Sequence, residues 1–503
     1  MITNTKYTEN VARYKRVRDV VDGEYRLKQV DLDKICQITG TIKNVPAAGY
    51  LRELNPVDKT EYNKERNRGY INGARLFNAT TRTLSGLMGM LFRADPVWPK
   101  FNGRMDYLTE DADGAGLSLD QQSQLVAWNT TQIGRHGLLA DMPRNDSGEE
   151  VTQGMVAGGF RPTIQQYTAE NIVDYNESTV DGSKKLDLLV LREPRVVFNA
   201  NRIDREIEYD LKVYRLTEDG VTVQVYEGDN GLGPARGEET PVTGGKNMPL
   251  TTIPFSFVGS VNNNPEYDLL PLEPLVDTNL GHYQESANLR SSSYQLSAAQ
   301  LVISDDKYQR SMEGEEGSNE IETGEESAIV LGSAGSAAFI SPDPNNISSD
   351  LMLKDEDRMV ALGAQLITSG GGAETAEAAR IKHASDVSVL ENISINVSDA
   401  YNKMFMYCHI FMGEDFAYLD KASLNREFYD SKLTAQEIDA VVRAWQSNAI
   451  PTSVKNAKLQ KGKVIGEEVD LEAMNQEIDD EAGDNVNFEE VTPSAATVTT
   501  QTQ

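Results

Sequence analysis

Residues 373–412 run without a glycine or a proline, and Leu390, Ile393, Val397, Ala400, Met404, Cys408 and Phe411 repeat on one helical face until Gly413 ends the run. At 1.5 Å per residue such a helix reaches roughly 60 Å, long for a globular domain. A span of that size suggests a shaft or spoke. A second stripe precedes it: Leu269, Leu272, Val276, Leu280, Tyr283, Ala287 and Tyr294 keep helical spacing, with Pro271 and Pro274 confined to the start, where a helix tolerates them. A third runs through Leu351, Met352, Met359, Leu362 and Leu366, with Ser348 or Ser349 placed to cap it, and stops at Ser369-Gly370-Gly371-Gly372. Between the second and third helices, strand signals at 301–304, 328–331 and 337–341 bracket an acidic insert.

The first half reads differently. Residues 1–69 mix Lys and Arg with acids and read as a solvated arm, with one good helical turn at 31–38. In the stretch 70–92, Leu84, Leu87, Met88 and Leu91 mark an amphipathic helix that ends before Asp95-Pro96. Leu125, Trp128 and Ile133 suggest another helix, and 137–141 a short buried strand. Between 184 and 226 the runs LDLLVL, RVVF, YDLKVY and VTVQVY alternate with turn signals, which predicts an antiparallel sheet. Residues 227–246, rich in Gly and Pro without period, read as a loop. Near the end, Thr434 and Glu437 form a capping box before Ile438, Val441, Val442 and Trp445, and a short helix follows Pro451. From 467 to 490 acids occur without bases, and a low-hydrophobicity tail follows.

Composition narrows the function. With 503 residues the chain can bury a large core without metals or crosslinks. Its 78 acids against 48 bases, a formal charge of -30, argue against a surface that grips nucleic acid or an anionic membrane everywhere. Two cysteines, Cys36 and Cys408, make no disulfide framework, the first residues lack the apolar core of a signal peptide, and no apolar run approaches the roughly 20 residues of a membrane span.

No chemical motif stands out. Gly370, Gly371 and Gly372 open a helix as a phosphate loop would, but Ala373-Glu374-Thr375 puts a carboxylate where a Walker lysine belongs, so a hinge between helices is the better reading. Asp111, Asp113 and Asp120 lack the spacing of a calcium loop. His136, His282, His383 and His409 are dispersed and show no zinc-hydrolase pairing, and no nucleophile elbow or acid and base pair can be nominated. We therefore expect no catalytic site, cofactor or metal. The acidic insert at 305–326 is by default a solvated loop, although its place between strands suits docking.

The succession of long helix, small β insertion, second helix, Gly-broken loop and longer third helix resembles the stem, clip, stem, tunnel loop and inner-wing helix of tailed-bacteriophage portal proteins. The strings FNATTRTLSGLMGMLFR, DADGAGLSLDQ, GRHGLLADMP, YTAENIVDY, DTNLGHYQESANL, IVLGS, MVALGAQL and ETAEAARIKHASDVSVL are similar to one branch of them, long described only as a phage family of unknown function. IDAVVRAWQSNAIPTSVKNAKLQKGKVI looks like the crown helices. The resemblance covers about residues 70–477.

It implies an α+β portal fold: arm 1–69, wing 70–262 with an antiparallel sheet, stem helix 263–298, clip 299–345, stem helix 346–367, tunnel loop 368–374, inner-wing helix and following segment 375–429, crown 430–480 and tail 481–503. It also implies a homo-oligomeric ring, usually a dodecamer, that is assembled in the host cytoplasm and sits at the portal vertex of the virion against the major capsid protein, with no membrane partner. Double-stranded DNA would pass through its channel past Thr368, Ser369, Gly370, Gly371, Gly372 and Glu374. The large terminase, and later neck or adaptor proteins, would dock at the clip through Glu313, Glu315, Glu316 and Glu320. The alternative from another class is an acidic cytoplasmic enzyme with an unidentified carboxylate site, working as a monomer or small oligomer.

Overall fold

The computed structural model describes residues 5–36, 49–101, 104–143, 158–180, 182–198, 205–228, 233–297, 300–304, 336–340, 346–365, 389–413, 421–426, 428, 435–447, 449–462, 464–466, 469–471 and 473–476. The chain is α+β and divides into two units, residues 1–426 and 427–503.

The charged N-terminal stretch is not the solvated arm its composition suggests. It folds as α1 (Thr5–Asp22), α2 (Glu24–Cys36) and, after the segment 37–48, α3 (Glu61–Gly73). Tyr14, Val17, Val20, Leu27, Tyr70 and Ile71 are buried in one core cluster with residues from 270 to 287. The apolar stripe is narrow and its charges are paired beside it: Lys15 with Asp19 at 3.0 Å, Arg26 with Asp19 at 2.8 Å, and Arg18 with Glu170. Charge count alone misreads such a helix, because the long stems of Lys and Arg lie along apolar surface while their heads find carboxylates.

α4 (Ala79–Leu91) buries the expected Leu84, Leu87 and Leu91. α5 (Leu119–Ile133) starts in a reciprocal cap, Ser118 Oγ accepting from Gln121 N while Gln121 Oε1 accepts from Ser118 N, and ends at Gly134 with φ of 75°. A side chain at Gly134 would collide with the carbonyl oxygen of Leu269, which makes glycine doubly required there. β1 (Arg135–Asp141) follows at once and is the centre of a three-stranded antiparallel sheet, between β2 (Thr163–Thr168) and a strand described below.

The second sheet is a five-stranded antiparallel meander of β3 (Ile172–Val180), β4 (Ser183–Phe198), β5 (Arg205–Thr217), β6 (Gly220–Glu227) and β7 (Ala235–Pro241). Two expectations change. LDLLVL and RVVF are one strand of 16 residues that passes through Pro194. Part of the expected loop 227–246 is β7, an edge strand with both faces largely exposed, so no apolar alternation marks it. β8 (Phe255–Gly259) is buried at every position and completes the first sheet beside β1. A Cβ on Gly137 of β1 would meet the Phe255 ring at 2.4 Å, so the two strands need glycine there to share one packed face.

α6 (Glu273–Ser297), β9 (Gln300–Ser304), β10 (Ser336–Ile340) and α7 (Ile347–Gln365) follow, with β9 and β10 antiparallel in the register Gln300 to Ile340. Of the stripe assigned to α6, Leu272, Val276, Leu280, Tyr283 and Ala287 are buried, whereas Leu269 and Tyr294 are exposed. α8 (Val389–Met412) is the described part of the 373–412 run, and all seven residues of its predicted face are buried. It packs on β8, β1 and α5. Tyr401 and Phe405 form an aromatic cluster with Trp98 and Phe101 at centroid distances of 5.0–6.1 Å. Residues 328–331 and the first part of the 373–412 run lie outside the described residues.

The second unit contains α9 (Ala435–Gln446) and α10 (Thr452–Lys461). Ile438, Val441, Val442 and Trp445 share its half-buried side, Trp445 Nε1 donates to Thr452 Oγ1 at 3.0 Å, and Lys455 Nζ lies 4.2 Å from the Trp445 ring centre. Thr434 and the tail lie outside the described residues.

One core residue makes a pH prediction. His136 in β1 is completely buried, and burial, helped by the nearby Arg18 charge, pushes its pKa down from 6.5 to about 3. Between those values the unfolded chain takes a proton that the folded chain refuses, so this histidine lowers stability as pH falls, by about 1.4 kcal/mol per pH unit. Urea denaturation of His136→Gln from pH 6.5 to 4 should show a shallower acid loss than the wild type. Parallel slopes, whatever the offset, would place the acid sensitivity elsewhere.

Candidate functional site

The helices α6 and α7 are linked through the two-stranded β9–β10, whose strands pack chiefly on each other among the described residues. The pair is antiparallel: Asp355 lies against Gly281, His282 Nε2 is 3.3 Å from Glu356 Oε1, and Arg358 shares a shallow groove with Glu273 and Asp277.

Its root is built from the N-terminal helices. Glu273 opens α6, where a carboxylate suits the helix dipole, and accepts Arg13 through both carboxylate oxygens and Arg16 NH2 at 2.9 Å. The hydrogen bond from Arg13 is the main reason its carboxyl is held below the usual range. Arg16 also reaches Asp277 at 3.1 Å. One turn on, fully buried Asn279 donates to Phe77 O at 2.7 Å and accepts from Thr80 Oγ1 at 2.9 Å and, at 3.4 Å, from Thr80 N. It caps α4 from outside, because Asn78 at that helix start makes no side-chain cap. Further along, Ser286 Oγ accepts from Arg75 N at 2.9 Å, Gln284 Nε2 donates to Tyr50 O at 2.8 Å, and Tyr70 OH donates to Asn288 Oδ1 at 2.8 Å. Under this row Asp31 accepts from Leu51 N at 3.0 Å, and burial raises its carboxyl to about 6. About four turns of α6 are thus tied to α1–α4.

Beyond the root, α7 buries Met359 and packs Gly363 against Thr83, but carries exposed apolar side chains: Ile347 64%, Leu351 41%, Leu353 62% and Val360 73%. At 100° per residue Ile347 and Leu351 fall on one flank and Leu353 and Val360 on the other, about 200° away. Asp350, Lys354 and Asp357 are exposed between them. Lys354 and Arg358 are exposed, and Glu356 faces His282.

Thr368, Ser369, Gly370, Gly371, Gly372 and Glu374 lie outside the described residues, as do Glu313, Glu315, Glu316 and Glu320. Asp111 and Asp113 accept backbone N–H groups of the turn at 115–117, Asp111 also pairs with Arg161, and Asp120 accepts from Trp98 Nε1, so the three serve a turn and a helix start. Among the described residues no cluster of His, Cys, Asp or Glu is arranged for a metal, and no helix is long and apolar enough to cross a membrane.

Sequence reasoning missed Arg135. Its guanidinium is 2% exposed, lies 4.5 Å from the Phe257 and Tyr267 ring centres and 5.1 Å from that of Tyr175, and donates to Pro265 O at 2.6 Å and Glu266 O at 3.0 Å. It pins the loop entering α6 to the first sheet, and burial pushes its pKa down. The available signal was an arginine opening an otherwise apolar strand, GRHGLLAD.

Residues 271–412, the segment of α6, β9, β10, α7 and α8, match the family described as Domain of unknown function (DUF4055). Comparison with curated proteins gives no match. Among solved structures, the chain is similar to one in "Neck of native GTA particle computed with C12 symmetry", at 12% identity over 76% of this chain and 89% of that one, with a TM-score of 0.38. It is similar to one in "Virion of native gene transfer agent (GTA) particle", at 12% identity, 76% and 89% coverage and a TM-score of 0.36. A third, in "Neck of empty GTA particle computed with C6 symmetry", has 13% identity, 75% and 88% coverage and a TM-score of 0.37.

The root predicts an unequal mutational pattern. Asn279→Ala removes the acceptor of the buried Thr80 hydroxyl and backbone N–H and should cost about 2–4 kcal/mol in urea denaturation. Arg13→Ala removes a partly exposed pair and should cost about 1 kcal/mol. Equal losses at the two positions would contradict this account of how α6 is held.

Proposed function

We propose that this chain is the subunit of a portal-type ring at one vertex of a tailed-bacteriophage capsid, a conduit for double-stranded DNA in packaging and ejection. The observation that carries the reading is the two-sided α7. A helix with apolar side chains on opposite flanks, each exposed in the isolated chain, suits a subunit with a neighbour on either side. Two unlike flanks make a head-to-tail contact, and such contacts build a ring where the rotation between subunits closes. The antiparallel stem with a small β tip supports the same assignment, since it reproduces the stem–clip–stem order that the sequence resembles.

In this reading the clip, with Glu313, Glu315, Glu316 and Glu320, receives the large terminase and later a neck or adaptor protein, and the wing meets the major capsid protein. Thr368–Glu374 is the tunnel loop touching DNA. The subunit has no catalytic role and needs no cofactor. A ring of chains each at -30 repels DNA except at scattered bases such as Lys354 and Arg358, which favours sliding over sticking because DNA gains affinity by exchanging counterions for Lys and Arg.

Native mass measurement tests the reading. Wild-type protein is expected to form a closed assembly near twelve copies, and Val360→Glu or Leu351→Glu, each at a surface site where folding is spared, to fall to smaller species with unchanged circular dichroism. A wild-type protein monomeric at all concentrations, including in the presence of capsid protein, would favour the enzyme alternative and reject the ring.

A further inference from the structure

The β4–β5 ribbon is longer than the sheet that holds it. β3 pairs with β4 only as far as Leu191, and β6 pairs with β5 only as far as Asp210, yet β4 and β5 stay paired to Phe198 and Arg205. Among the described residues, the outer part of the ribbon therefore stands beyond its neighbours in the sheet as two strands. A two-stranded ribbon is marginal in water by itself, and its retention implies a use.

The two faces of this ribbon differ. On one, Arg195 pairs with Glu208 and with Asp210 at 3.0 Å, and Arg236 reaches Asp210 at 3.2 Å, so its charges are internally matched. The other is the outward continuation of a core face. Val190, Leu211 and Val213 are buried at its inner end, Tyr209 lies beneath the Arg192 guanidinium at 4.9 Å, and then Val196, Phe198 and Ile207 emerge 49%, 57% and 60% exposed. Val196 and Ile207 are cross-strand partners, so these three form one contiguous apolar patch.

We propose that this patch is an arm that packs on a neighbouring copy of the same chain, a contact that rests on the ring reading and adds to the stem contact. The choice of occupant follows from charge. The ribbon carries Arg192, Arg195 and Arg205 against Glu193, Glu206, Glu208 and Asp210, a net of -1 in a chain at -30. A basic partner would be drawn to the acidic surface, whereas another equally acidic copy approaches best where charge is balanced and apolar area is available. Three side chains bury far less than the roughly 1,200 Å² of a stable interface, so the arm clamps subunits that already touch along the stem.

Single-cysteine labelling with a maleimide tests this on the full chain. Ile207→Cys should react freely in dissociated subunits and at least ~10-fold more slowly in the assembly, the factor expected when a contact worth about 1.4 kcal/mol covers the site. Glu206→Cys, on the charged face, should react at one rate in both. Replacing Val196, Phe198 and Ile207 together with Ser should raise the concentration at which the assembly half-dissociates by ~10-fold or more, with circular dichroism unchanged. An assembly in which Ile207→Cys reacts as fast as in free subunits overturns the arm and leaves the ring. Protection that appears only on adding another particle protein overturns the self-contact. A chain monomeric throughout overturns both.

Discussion

Everything outward of residue 272 depends on how α6 is held at its first turns. Glu273 receives Arg13 and Arg16 at the helix start, and below it Leu272, Leu275, Val276 and Tyr283 enter the cluster formed by Tyr14, Val17, Val20 and Leu27. Buried apolar area supplies most of the free energy, and the directed bonds from Asn279, Ser286 and Gln284 set rotation and register. Of the residues given to α6, those from 272 to 287 face this body, and Tyr294 beyond them does not. A 25-residue helix tied to the N-terminal helices over more than half its length is held in position along that stretch by contacts that a helix pair without such ties would lack.

Much of this was legible in the sequence, and the exceptions have physical causes. All seven stripe residues of α8 are buried because that helix is packed between β8 and β1 of the first sheet and helix α5. The α6 stripe failed at Leu269 and Tyr294, because periodicity marks a face without saying how far the neighbour extends along it. β7 was unreadable: an edge strand exposed on both faces has no alternation to show. The N-terminal helices were hidden by their charges, which turn out to be partners of Glu273, Glu170 and Asp19 rather than solvated groups.

The candidate site was less legible than the fold. Sequence reasoning looked for function in glycines and glutamates, at 368–374 and in the acidic insert, both beyond the described residues. What the structure adds is apolar: two flanks of α7 and the Val196, Phe198 and Ile207 face of the β4–β5 ribbon. Surface leucines and valines are common and carry no motif, so only their placement on opposite flanks, or on a ribbon beyond its sheet, makes them informative. Arg135 shows the converse, a charged residue whose two carbonyls and two of whose three rings come from segments more than a hundred residues away in sequence.

Native-state hydrogen exchange tests most directly whether the N-terminal helices and the first turns of α6 are one cooperative structure. Amides of α1 and of the part of α6 from 275 to 287 should exchange together, among the slowest in the protein, with the end of α6 near Tyr294 exchanging sooner. Fast exchange throughout α1 beside slow exchange in α6 would mean that α6 stands without the N-terminal helices, and the account of its rooting would be wrong.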